Sequence, residues 1–211
     1  MGAIKFPHAS GNSMSIAAPA TNPASDLELK LPATIGTAGQ VLKNSSTAGT
    51  LEFGGGGKIL QVVSTTKNDT SSYSVADGGI SGDVITADIT PASSSNKVLV
   101  ILSIYAGSGD HGIYASIYRG GSVITNATGD ASGVRQRVSA ASFVYNDNRA
   151  TEINKTYLDS PSTTSSTTYS VRIGGSYTST GTYYVNQSYQ NANENESARG
   201  MSTLTLMEIA A

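Results

Sequence analysis

Two histidines, His8 and His111, are the only imidazoles in the chain, and His111 directly follows Asp110 between Gly109 and Gly112. A nucleophile, base and carboxylate need only converge in space, so this dipeptide and one serine could form a hydrolytic triad. No G-x-S-x-G elbow accompanies it, and hydroxyls are so abundant that a serine near His111 carries no information. A solvated turn residue is the competing description. Glycoside hydrolysis needs two carboxylates a few ångströms apart. Glu194 and Glu196 lie in an Asn-rich stretch, and Asp110 and Asp130 in Gly-rich connections, where loop solvation explains them without chemistry. The run Gly54–Gly57 followed by Lys58 imitates a phosphate loop. It fails because Glu52 replaces the upstream glycine and Ile59 stands where a Ser or Thr should hold magnesium. No cluster has diagnostic metal-ligand spacing, and no cofactor motif appears. The chain reads as a non-enzyme.

Tyrosine offers a stronger lead. The chain has 11 Tyr and no Trp, and Tyr177, Tyr183, Tyr184 and Tyr189 fall near the amides Asn186 and Gln187. Flat rings beside amide donors suit sugar binding or a protein contact, since each ring gives rigid area with one polar tip. These six residues are the candidate receptor-binding set. The alternative is that half of the rings point into a sheet core and the rest cover strand edges.

Composition narrows the setting in which such residues act. Of 211 residues, 38% are hydrophobic and only 13% charged, for a formal net charge of -2. Charged residues stand at about half the usual ~25%, and Ser and Thr fill roughly a quarter of the chain. Hydroxyl side chains suit the solvent face of strands. The weak negative charge argues against nucleic acid, which selects a basic face. Arg135 and Arg137 are the densest basic pair, and strand alternation would place both on one solvated face. Without cysteine there is neither a disulfide nor a thiolate site. No run of 18 apolar residues and no basic-then-apolar leader is present, so neither membrane insertion nor export is expected. N-x-S/T triplets at Asn44, Asn68, Asn126, Asn154, Asn186 and Asn195 follow from composition.

Four glycines, 54–57, separate two stretches of different character. Residues 1–53 carry four of the six prolines, and their most regular piece, Asp26 to Leu31, sets Leu27, Leu29 and Leu31 on one face before Pro32. Short pieces follow at Gly39–Asn44, with Val41 and Leu42, and at Thr50–Phe53. Such pieces are too short and scattered to enclose a core, so the leucine face must be covered by other copies or a docking partner. An extended arm over 1–53, a hinge over 54–57 and a head over 58–211 are expected.

The head reads as strands at Ile59–Thr66, Asp83–Thr90 and Lys97–Tyr105, the last apolar on both faces and so expected at a sheet centre. Gly112–Arg119 alternates Ile113, Ala115 and Ile117 against Tyr114, Ser116 and Tyr118, and Gly120–Gly121 predicts a tight hairpin to Val123 and Ile124. Val134–Tyr145 reads as one long strand, followed by Thr151–Leu158. Thr167–Ile173 places Tyr169, Val171 and Ile173 inward against Thr168, Ser170 and Arg172. Tyr183–Val185 and Met201–Ile209 complete the series, with Gln187–Arg199 an exposed loop. The fold class is all-β, an antiparallel jelly-roll-like β-sandwich behind an extended N-terminal β arm.

The stretches Gly11–Pro19, Asn22–Ser25 and Leu27–Pro32, followed by Thr37–Leu42 (T-A-G-Q-V-L), resemble a motif in short fibre proteins of marine tailed bacteriophages. Lys58–Val63, Tyr157–Pro161 and Thr205–Ile209 resemble the head of such fibres. The resemblance implies a homotrimer with intertwined N-terminal strands, in which Ile16, Leu27, Leu29, Leu31, Val41 and Leu42 would mediate trimerisation and attachment. It also implies a virion component made in the host bacterial cytoplasm. Its arm would dock on a portal, tail adaptor or major capsid protein, and its knob would meet a host surface glycan or protein. A capsid decoration or cement protein is the main alternative, and a polysaccharide-degrading spike a distant one.

Overall fold

Period-two alternation is the dominant signal in this sequence, and it is realised as antiparallel strands in two separate units, Met1–Gly56 and Gly57–Ala211. The computed structural model describes residues 3–7, 13–17, 21, 23, 28–37, 40–55, 58–109, 112–145, 149–176, 180–195 and 197–211.

The N-terminal unit holds two hairpins. β1 (Ala3–Pro7) pairs with β2 (Ser13–Ala17), which sets Ile4 opposite Ile16 in the ladder. β3 (Gln40–Asn44) pairs with β4 (Leu51–Gly55), and Leu42 lies opposite Phe53. Lys43 and Glu52 face each other at 3.4 Å, an exposed pair of small energetic weight. Of the expected strand over Asp26–Leu31, the described residues 28–31 show one parallel bridge, Lys30 to Thr50. Leu27 lies outside the described residues. Leu29 and Leu31 are 62% and 72% exposed, and no described residue of residues 21–55 is buried. Gly54 and Gly55 are not hinge but ladder, paired with Val41 and Gln40; Gly56 and Gly57 lie outside the described residues.

In the head, β5 (Ile59–Lys67), β6 (Ser71–Val75), β8 (Lys97–Ser108), β12 (Thr151–Asp159), β14 (Gly181–Val185) and β15 (Ser202–Ile209) form one sheet. β7 (Ile80–Ile89), β9 (Gly112–Arg119), β10 (Ser122–Val123), β11 (Ala140–Phe143) and β13 (Thr167–Ser176) form the other. The chain crosses between sheets at most connections from β6 to β14, the sandwich winding expected of a jelly-roll-like fold. Their inner faces enclose a single core, with Val98, Val100, Ile104, Ile113, Ile117, Tyr169, Val171, Ile173, Leu204 and Leu206 essentially sealed. Gly120 and Gly121 have φ of 56° and 80°, the left-handed pair that a two-residue hairpin between β9 and β10 requires.

Three expectations need correction. β8 is central, flanked by β15 and β12, but only its even-numbered side is sealed; Leu99, Ile101, Ser103 and Tyr105 stay partly accessible on the outer face. Val134–Tyr145 is not one strand. Only Ala140–Phe143 pairs, because Gly133 takes a positive φ of 57° and Arg137 turns its Nε to the Gly129 carbonyl at 2.7 Å. Ser170 faces outward as expected yet is only 3% exposed, since its hydroxyl donates to Asp83 at 2.8 Å beneath the Asp83–Arg172 pair. Arg172 also covers the Tyr118 ring at 4.2 Å.

Candidate functional site

The tyrosine-and-amide cluster is split by the fold. β14 alternates, so Tyr183 turns into the core at 1% exposure and Tyr184 turns outward. Tyr184 meets Tyr189 edge to face at 5.6 Å, and Tyr189 is 41% exposed. Asn186 is corrected from a surface candidate to a buried clasp. Its φ is 64°, its amide donates to the carbonyls of Lys67 and Asp69 at 2.8 Å each, and its oxygen accepts from Ser202 at 2.7 Å. Gln187 is also buried, as is Ser188, so the expected exposed loop begins later than Gln187. Tyr177 lies outside the described residues, as do Asp110, His111 and Glu196. Among the described members of the set, Tyr184 and Tyr189 are therefore the ones that a surface ligand can reach.

A second arrangement, not singled out by spacing, is more fully built. β12 ends on Asp159 and β9 ends on Arg119, and the sandwich brings these two strand ends together. Arg119 Nη1 donates to Asp159 Oδ2 at 2.5 Å and to the Ser160 carbonyl at 3.3 Å. From the core side, the Tyr169 hydroxyl donates to the same Oδ2 at 2.6 Å. Burial would lower the Arg119 pKa, but the bond to Asp159, the Asp159 charge and Tyr169 together outweigh it and hold the guanidinium charged. Burial, reinforced by the bond to Asp159, keeps the Tyr169 phenol protonated well above its ordinary range. Tyr157 is likewise raised by burial.

Arg119 and Asp159 floor a cavity of about 320 Å³ whose other walls come from the β9–β10 hairpin and the 3-10 turn Thr125–Ala127. Ser122, Ile124, Asn126 and Tyr157 line it beside Arg119 and Asp159. A volume of this order lies at the lower end of small-molecule sites. Among the described residues that line the cavity are one buried carboxylate and one guanidinium. That inventory suits binding and positioning. Among the described residues no group of three or more His, Cys, Asp or Glu could hold a metal ion. Sequence reasoning missed the site because Arg119, Asp159 and Tyr169 are separated along the chain. The only local sign was an acidic residue ending a strand immediately before Ser160–Pro161.

The head carries one further feature on the outside of the larger sheet. Register places Val62, Met207, Leu99 and Leu158 in one row across β5, β15, β8 and β12. The next rows are Ser64, Thr205, Ile101, Thr156 and then Thr66, Thr203, Ser103, Asn154. None of these twelve positions is charged, and Val62 and Leu158 are 55% and 45% exposed.

No protein-family model matches the chain, and no curated protein matches it. Among solved structures, it is similar to the infectious bursal disease virus VP2 subviral particle, at 13% identity and a TM-score of 0.34, over 82% of this chain and 43% of that one. T=1 particles derived from the same virus give 12% and 0.39, over 82% and 41%. The Gt strain of that virus gives 15% and 0.39, over 95% and 48%. The chain spans less than half the length of each of these proteins. Likeness at this level carries no argument about function. No helix among the described residues is long and apolar enough to cross a membrane.

Proposed function

We propose that this chain is a structural component of a bacteriophage virion, a short homotrimeric fibre. Its N-terminal unit attaches to the particle, and its head is presented to the bacterial surface. The observation that carries the reading is the uncharged outer face of the larger sheet. Four strands about 4.8 Å apart and three rows about 6.8 Å apart give a neutral face of roughly 400 Å². Five of its twelve positions, Val62, Met207, Leu99, Leu158 and Ile101, are apolar, and the first four of them form one continuous row. The face supplies about half of the ~800 Å² per partner that a stable interface needs. The exposed Leu29, Leu31, Val41 and Leu42 of the N-terminal unit offer further apolar area to identical neighbours. Lys97 at one end of the face and Glu152 at the other add charge only at its margins.

Light scattering on the purified full chain tests this directly. A particle near three times 21.6 kDa is expected, and a monomer at concentrations where fibres assemble would remove the reading. Imaging of labelled virions then separates a fibre whose head reaches outward from a decoration protein lying over the capsid.

A further inference from the structure

We propose that the pocket floored by Arg119 and Asp159 binds one neutral sugar unit through its hydroxyls. Asp159 is 4% exposed, yet both hydrogen bonds it receives from the protein end on Oδ2. Oδ1 accepts none. Among the described residues the Ser197 hydroxyl is the only sealed side-chain polar atom without a partner, so Oδ1 keeps its access to solvent. Asp159 lines the cavity, and that access is where a ligand donor would meet it. A buried carboxylate with an open oxygen gains most from a donor that displaces water.

Arg119 complements it. A guanidinium has five N–H donors, and the two bonds Arg119 makes both leave from Nη1. Nε and Nη2 therefore remain to donate. The site thus presents a strong acceptor beside strong donors, and a hydroxyl group satisfies both at once. Charge selects against ions: Arg119 and Asp159 cancel, and among the described residues no other charged side chain lines the cavity. An anion meets the Asp159 carboxylate, and a cation meets the Arg119 guanidinium. Ser122, Asn126 and Ser160 add neutral polar contacts, while Tyr157 and Ile124 add an apolar wall for the C–H face of a ring. A pyranose combines these properties, and a volume of about 320 Å³ accommodates one with its linkage to a second.

The inference rests on the proposed role of the head only for the source of the sugar, the end of a bacterial surface glycan. Its test uses the full chain and methyl glycosides of glucose, galactose, mannose, rhamnose and N-acetylglucosamine, read by saturation-transfer NMR and titration. At least one should bind with a Kd on the order of millimolar, and methyl glucuronide and inorganic phosphate should not. Asp159→Asn should weaken binding by about tenfold or more. Because that change could also loosen the fold, Asn126→Trp, at an exposed position on the rim, serves as the blocking variant. Failure of every neutral glycoside to bind, stronger binding of phosphate or glucuronide, or binding that survives both variants would overturn the proposal. Wild-type protein that adsorbs to cells without binding any glycoside leaves the fibre reading intact and removes this one. Glycoside binding by a monomeric chain does the reverse. Displacement of adsorbed protein by the free glycoside ties the sugar to the cell surface; adsorption indifferent to it assigns the pocket to free saccharide.

Discussion

Glu208 points into the core from β15, between the buried Leu206 and the end of the chain, and three donors keep it ionised there. The side-chain amides of Gln61 and Asn96 reach it at 2.6 Å each, and the Ala92 amide at 2.7 Å. Burial alone would raise its pKa, but these bonds outweigh burial and hold the carboxyl below its ordinary value. Asp83 is held low as well, chiefly by its bond from Arg172. A carboxyl whose pKa is lower folded than unfolded binds fewer protons in the native state. Its stabilisation is full above the unfolded value and disappears as pH falls through the folded one. Glu208→Gln turns an acceptor of three bonds into a group with only one acceptor oxygen. It should cost about 1–3 kcal/mol at neutral pH by urea unfolding. The same variant should lose less stability than wild type between neutral and acid pH. An equal acid loss in both would show that Glu208 contributes nothing to the pH dependence. This hub was hard to foresee: an alternating terminal strand announces its inward positions, but not that one of them will be a charge satisfied from residues 61, 92 and 96.

At the scale of elements, alternation was readable wherever inward residues were large and apolar. Tyr169, Val171 and Ile173 on β13, and Ile113, Ala115 and Ile117 on β9, are all sealed as expected, and the Gly120–Gly121 hairpin falls where the sequence puts it. Signals failed where polar groups replaced the pattern. β6, Ser71–Val75, went unrecognised because Ser, Ser and Ser surround its single Tyr. Val134–Ser139 has strand composition, but its backbone bends around Gly133 and the Arg137 side chain. The binding pocket was illegible for a related reason, since it forms where the ends of β9 and β12 meet across the sandwich. The outer sheet face allows a separation of assembly from folding. Val62→Lys with Leu158→Lys places two charges at opposite edges of the neutral rows, at positions already about half exposed. Folding should survive, with unfolding shifted by less than about 1 kcal/mol, as surface substitutions usually are. Sedimentation should show the oligomer falling toward monomer, because each interface must then desolvate unpaired ammonium groups. An oligomer that persists unchanged would move the interface elsewhere.

The whole molecule joins two units with very different means of staying folded. The head has a continuous two-sheet core, whereas the described part of the N-terminal unit has hairpins, exposed leucines and no buried side chain over residues 21–55. Two-stranded units are marginal in water without a surface to cover. Order in the N-terminal hairpins should therefore depend on association, whereas the head should be folded even as a monomer. A chain beginning at Lys58 should unfold cooperatively when diluted until light scattering shows single copies, because its core is complete within one chain. In the full chain, hydrogen exchange over β3 and β4 should be fast at dilution and slow by orders of magnitude once copies associate. Over Val98–Ile104 and Leu204–Leu206 exchange should be slow under both conditions, since the monomer core already seals those strands. The contrast matters more than either value. If β3 and β4 are as protected in a dilute monomer as in the concentrated protein, the hairpins are stabilised within one chain, and identical neighbours are not what holds them.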